Sequence, residues 1–266
     1  FPERNMNVVV RSALPAASGQ LKNVSAYTAL NVRGMAAGSS YTDPISGVRV
    51  WKVTSPSIPV ANPGAHHDYA DGAVQVSRAW GPNGDSHTLL AFADNAGHWL
   101  VDFTRGQGLR NWRRPAVGPS GDLNFTFSNN PATPQIAYVF TGSQLVRLNT
   151  ATNQVANTGN FPKALGSGGW LQQDATDTWF VKGNGTDQVV AWNSQTGQTL
   201  TRSFSGLDEP HFDRSGRWVA VIAGGGVVGW DLQANTLTAP MGRGTAPFFH
   251  AASVQGLFYS FNSDRS

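Results

Sequence analysis

Four stretches of the chain, 99–106, 145–153, 189–197 and 227–235, share one rhythm of apolar and polar positions. Each alternates apolar and polar residues, closes on a large apolar residue, and then passes through Asn, Asp or Thr into a turn. That alternation is the period of a strand with one buried face. The closing residues Phe103, Leu148, Trp192 and Trp230 are spaced 45, 44 and 38 residues apart. A fifth copy, 47–54, carries Trp51, 52 residues before Phe103. Ahead of the later copies lie turn clusters (Asp71-Gly72, Asn129-Asn130-Pro131, Asp174 to Asp177, Arg214-Ser215-Gly216) and then β-rich runs at 88–93, 135–140, 178–182 and 217–223. Three or four short strands in each repeat of about 40–50 residues, with turn signals between them, predict the blades of a β-propeller. Helical periodicity is missing after residue 40, and a β-sandwich does not repeat its sequence in this way.

The predicted class is therefore all-β, with blades at 61–114, 115–162, 163–205 and 206–243. The tail 245–266 supplies inner strands and the copy at 47–54 supplies outer ones. Together they predict a fifth blade closed by N- and C-terminal strands, which removes open sheet edges. The rival is a piece of a larger propeller. Residues 1–40 read as an N-terminal extension packed on the propeller domain 41–266, with a short strand at Val8 to Val10.

Composition narrows the function classes. The chain has 266 residues, 13% of them charged, and no cysteine; the usual charged fraction is about 25%. Zinc fingers, thiol catalysis and disulfide scaffolds are excluded. No apolar run approaches the roughly 18 residues of a membrane-spanning helix. The net charge is +3, and the dense basic cluster Arg110, Arg113 and Arg114 is too small for a nucleic-acid footprint. An opening without Met and three glycosylation sequons, at Asn23, Asn124 and Asn184, agree with a processed, secreted or periplasmic chain. A monomer is expected.

The inner strands of a propeller converge on one axis, and the residue just ahead of each turn cluster faces it. At that register stand His66 and His67, Asn124, Gln172, His211 and His250. His66 and His67 cannot both point inward on an alternating strand. His87 and His98 fall on second and third strands, away from the axis.

The run Asp43-Pro44-Ile45-Ser46-Gly47-Val48-Arg49-Val50-Trp51-Lys52-Val53-Thr54, followed by His67 and the Asp71-Gly72 turn, resembles the propeller-fold polysaccharide lyases, of the oligogalacturonate and ulvan lyase type. The Asn262-Ser263-Asp264-Arg265 run after an aromatic strand is similar too. The resemblance implies β-elimination on an anionic polysaccharide. It also implies a divalent metal, Mn or Ca, held by Gln172, His211 and His250 to neutralise the uronate carboxylate. The chemistry needs a base and an acid, which His67 and Tyr69, two residues apart on one strand face, supply. Arg214 or Arg265 offers bidentate neutralisation of the carboxylate, and His66, Asn124, Trp170 and Arg265 complete the contacts to substrate.

Two alternatives stand beside this reading. One is a non-catalytic carbohydrate- or protein-binding propeller, in which nine Trp and many amides suit stacking and hydrogen bonding. The other is a glycoside hydrolase, which needs two opposed carboxylates. Asp174 and Glu209 lie at near-equivalent blade positions for it, with Asp68, Asp71 and Asp213 in reserve.

Overall fold

The computed structural model describes residues 24–53, 55, 76–93, 97–119, 124–141, 144–160, 171–213, 215–224, 226–240, 248–254 and 257–262. A short helix, α1 (Val24–Thr28), precedes a hairpin of β1 (Ser40–Thr42) and β2 (Arg49–Trp51). Blade 1 contains β3 (Ser86–Ala93), β4 (Gly97–Thr104) and β5 (Gly108–Arg113). Isolated bridges Val76 to Leu89 and Trp80 to Ser86 mark its innermost edge. Blade 2 is β6 (Phe125–Phe127), β7 (Ile136–Thr141), β8 (Gln144–Asn149) and β9 (Gln154–Asn160). Blade 3 is β10 (Leu171–Gln173), β11 (Trp179–Gly183), β12 (Gln188–Asn193) and β13 (Thr199–Ser203). Blade 4 is β14 (Leu207–Phe212), β15 (Trp218–Ala223), β16 (Gly226–Asp231) and β17 (Thr236–Leu237). A last pair, β18 (Phe248–Val254) and β19 (Leu257–Asn262), follows. Every sheet is an antiparallel meander with strands in chain order, as the repeat predicts.

The sheets pack face to face, and their apolar residues alternate so that both faces are buried. Leu90 and Leu100 of blade 1 meet Phe125, Phe127, Val139 and Leu148 of blade 2. Phe140 and Leu145 of blade 2 meet Leu171, Phe180 and Val190 of blade 3. Val181, Val189 and Ala191 of blade 3 meet Phe212, Val219, Val221 and Trp230 of blade 4. The far face of blade 4, with Ala220 and Ile222, lies beside β18, which neighbours both β14 and β15. Innermost strands follow one another from β6 to β10 to β14 to β18. This is the blade succession of a β-propeller.

The repeated closing residues have one job in this packing. Leu148 and Trp230 are fully buried, and Trp192 packs with Phe180 and Tyr138. Each of the three faces the preceding blade. Phe103, the equivalent residue of blade 1, meets Trp51 of the hairpin edge-on at 6.1 Å. The hairpin therefore stands, relative to blade 1, where each blade stands relative to the next. Trp112 donates from Nε1 to the Val53 carbonyl. Gly108, at φ +85°, leaves no room for a side chain, because a Cβ there would come within 2.3 Å of the Trp51 ring.

Closure by both termini differs from expectation in one respect. Among the described residues, β2 is bonded to β1, β18 is bonded to β19, and the two pairs are not joined into one sheet. The reason is local: the turn between β1 and β2 is held by Asp43, whose Oδ1 accepts from the Ile45 and Ser46 amides and the Ser46 hydroxyl. The 47–54 strand thus finds its partner about nine residues upstream, Val50 opposite Tyr41. The strand expected at Val8 to Val10 lies outside the described residues.

Trp230 joins blades 3 and 4, so Trp230→Ala leaves a cavity between two sheets. The expected loss is about 3–5 kcal/mol, read as a lower urea midpoint with an unchanged slope.

Candidate functional site

Of the residues expected at the axis, Asn124, Gln172 and His211 have described side chains. His250 is placed only as part of β18, the strand beside β14. His66, His67, Tyr69, Trp170, Arg214 and Arg265 lie outside the described residues.

Gln172 and His211 come together, and Glu209 joins them. Gln172 sits on β10 opposite Val181, on the face toward blade 4, and its Oε1 accepts the Phe212 amide at 2.9 Å. That bond fixes the amide orientation, since the reversed group would set a donor against a donor. Gln172 Nε2 then donates to His211 Nδ1 at 3.2 Å. His211 Nδ1 is thereby the acceptor, and Nε2 lies 3.0 Å from Glu209 Oε1. His211 and Glu209 are each 1% exposed. The result is a chain from backbone amide through carboxamide to imidazole, with the Glu209 carboxylate beside the ring.

A metal needs lone pairs from these same atoms. Gln172 Oε1 accepts the Phe212 amide, His211 Nδ1 faces Gln172 Nε2, and His211 Nε2 lies beside Glu209. An ion held by Gln172 and by His211 through Nδ1 would replace the contact between the two side chains. Asn124 is fully buried at the entry to β6, out of reach of a bound polymer.

The carboxylates proposed for hydrolysis are committed elsewhere. Asp174 Oδ1 accepts the Thr178 and Trp179 amides, and Oδ2 accepts the Thr176 hydroxyl. Asp213 binds the Ser215 amide and hydroxyl in the same way. Both carboxylates close the turn after an inner strand. Asp174 also lies against Gly216 of the next blade, where a Cβ would come within 2.9 Å of its Oδ2. Asp174 thus closes its turn, while Glu209 lies beside His211.

Two features were missed from the sequence. Asp177, in the turn of blade 3, accepts the Asn129 amide at 2.9 Å and the Ser128 hydroxyl, tying that turn to blade 2. Burial raises its carboxyl above the usual range. Beside it, Asn129 Nδ2 donates to the Gln173 carbonyl and Gln173 Nε2 to the Phe127 carbonyl. Lys182 on β11 is fully buried, with Nζ 4.7 Å over the Phe140 ring and donating to the Gly183 carbonyl at 3.2 Å. Burial pushes its ammonium down to about 8.

No family model matches the chain, and no curated protein matches it. Among solved structures, BamB from Moraxella catarrhalis is similar at 14% identity and a TM-score of 0.48, covering 82% of this chain and 62% of that one. The β-propeller domain of Myceliophteria thermophila Cps50 (Swd1) is similar at 13% identity and a TM-score of 0.48, covering 69% and 65%. Kluyveromyces lactis Hsv2 is similar at 12% identity and a TM-score of 0.40, covering 53% and 41%. The chain spans less than two thirds of the length of each.

Removing the amide of Gln172 in Gln172→Leu leaves the Phe212 amide and His211 Nδ1 buried without it. We expect a loss of about 1–3 kcal/mol in denaturant melts. For Lys182 the sign follows from proton uptake. The unfolded lysine titrates near its usual ~10.4 and the folded one near 8, so between pH 8 and 10 the unfolded chain holds more protons and stability rises with pH. The expected gain over that window is about 2 kcal/mol, at ~1.4 kcal/mol per unit. Above pH 10 the trend reverses, because half-buried Tyr138, raised to about 12, keeps its proton longer folded than unfolded. Lys182→Met removes the rise between pH 8 and 10.

Proposed function

We propose that this chain is a non-catalytic binding propeller, one that holds a partner rather than converting a substrate. One observation carries the reading: the best-formed polar cluster among the described inner strands is a buried structural relay. A base for β-elimination must touch the α-carbon proton of a uronate, and an acid must reach the glycosidic oxygen. His211 and Glu209, each 1% exposed, reach neither. Their ordering ties blade 3 to blade 4 and gives the ring rigidity, which is what a scaffold for recognition needs.

The lyase reading rests on His67, Tyr69 and Arg214, which lie outside the described residues. It is separated from the binding reading by one assay. The protein is incubated with several uronic-acid polysaccharides, with and without chelator, and unsaturated product is followed by ultraviolet absorbance. The expected result is no product on any polymer. Product that disappears in His67→Ala overturns the binding reading and restores β-elimination.

A further inference from the structure

Charge is divided unevenly along the propeller. Among the described residues of 24–53 and 76–119, eight cationic side chains face three carboxylates. Among those of 171–240, seven carboxylates face three cations. The basic portion is the hairpin with blade 1, and this is also where aliphatic side chains stand in solvent. Ile45 is 56% and Val48 59% exposed, with Val50 and Tyr27 also exposed.

These residues form one surface. Tyr41 pairs with Val50 across the hairpin, and Asp43 with Val48 one step further, so Tyr41, Val48 and Val50 share the face opposite Trp51. Ile45 is at the turn, and Tyr27 reaches the hairpin through its contact with Asp43. Arg33, ahead of the hairpin, and Arg105 and Arg110, in the blade that packs on its Trp51 side through Gly108 and Trp112, are exposed. The one carboxylate on the hairpin, Asp43, is taken up in its own turn. Among the described residues the two-stranded sheet has no third strand on either edge.

We infer that this hairpin face docks an acidic polypeptide segment with interspersed aliphatic side chains, bound in extended form. The inference rests on the binding reading above. Aliphatic residues beside a strand edge suit an added strand, with main-chain bonds for affinity and side-chain contacts for choice. The arginine rim supplies the charge complement that speeds and selects such an encounter.

The absence of cysteine from the chain makes the test clean. Val48→Cys in the full chain is exposed to a thiol reagent, alone and with a dodecamer of alternating Glu and Val, its Lys counterpart, or polygalacturonate. The expected result is rapid labelling of the free protein, protection by the Glu peptide only, and about tenfold weaker protection when Arg105→Glu and Arg110→Glu reverse the rim. Three outcomes overturn the proposal: slow labelling without peptide, meaning the chain itself or a second copy covers the face; equal protection by the Lys peptide; or protection by polygalacturonate in place of the Glu peptide. None of them produces unsaturated sugar, so failure here is distinct from failure of the binding reading.

Discussion

Blades 2 to 4 are apolar on both faces and must bury both, and a β-sheet can do that without a second layer of helices by standing between two like sheets. The residue that closes each anchor strand is placed for this purpose, filling the gap toward the preceding blade. Burying a side chain of this size is worth about 1.5–3 kcal/mol, and the contribution recurs at every interface. The same constraint orders the hairpin. Trp51 meets Phe103 as blade meets blade, so two short strands are set against blade 1 by a ring contact, by the Trp112 bond to Val53 and by a glycine that lets the ring approach.

Close face-to-face packing leaves the inner strands little water, and their polar groups must be satisfied by neighbouring blades. The Gln172, His211 and Glu209 chain meets this need between blades 3 and 4. Asp177, Asn129 and Gln173 meet it between blades 2 and 3. Residue types associated with catalysis are good at this work for the same reason they are good at catalysis, since each offers directional donors and acceptors. Burial distinguishes the two uses. A carboxylate and an imidazole locked to each other rigidify an interface, while a reactive pair must present an atom to solvent.

The blade plan was legible because it depends on local alternation. The second and third strands of blades 1 to 4 fall where the runs and anchors put them, and His87 and His98 lie on β3 and β4 as expected. The register of Gln172 and His211 was legible as well, 39 residues apart but in equivalent slots. Their role was not, because it depends on which way an amide turns, and a backbone amide of the next blade decides that. Lys182 reads in sequence like an outward-facing strand residue. It is buried because β11 has blades on both sides, which no single strand pattern reveals. Asp174 and Glu209 occupy near-equivalent positions yet diverge, since one precedes a turn with free amides and the other faces a histidine.

The net charge of +3 conceals a separation that matters more than its total. Carboxylates in blades 3 and 4 are largely consumed in turns and in bonds such as Arg217 with Asp231 at 2.7 Å. On the hairpin side, the Asp102 carboxylate is occupied by Arg113 at 3.0 Å and by Asn111 and Thr88, leaving the flanking arginines to face solvent. Fields of exposed charge act over about 8–10 Å at physiological salt, a range shorter than a small domain is wide. An approaching chain therefore responds to the sign of the nearest face rather than to the sum.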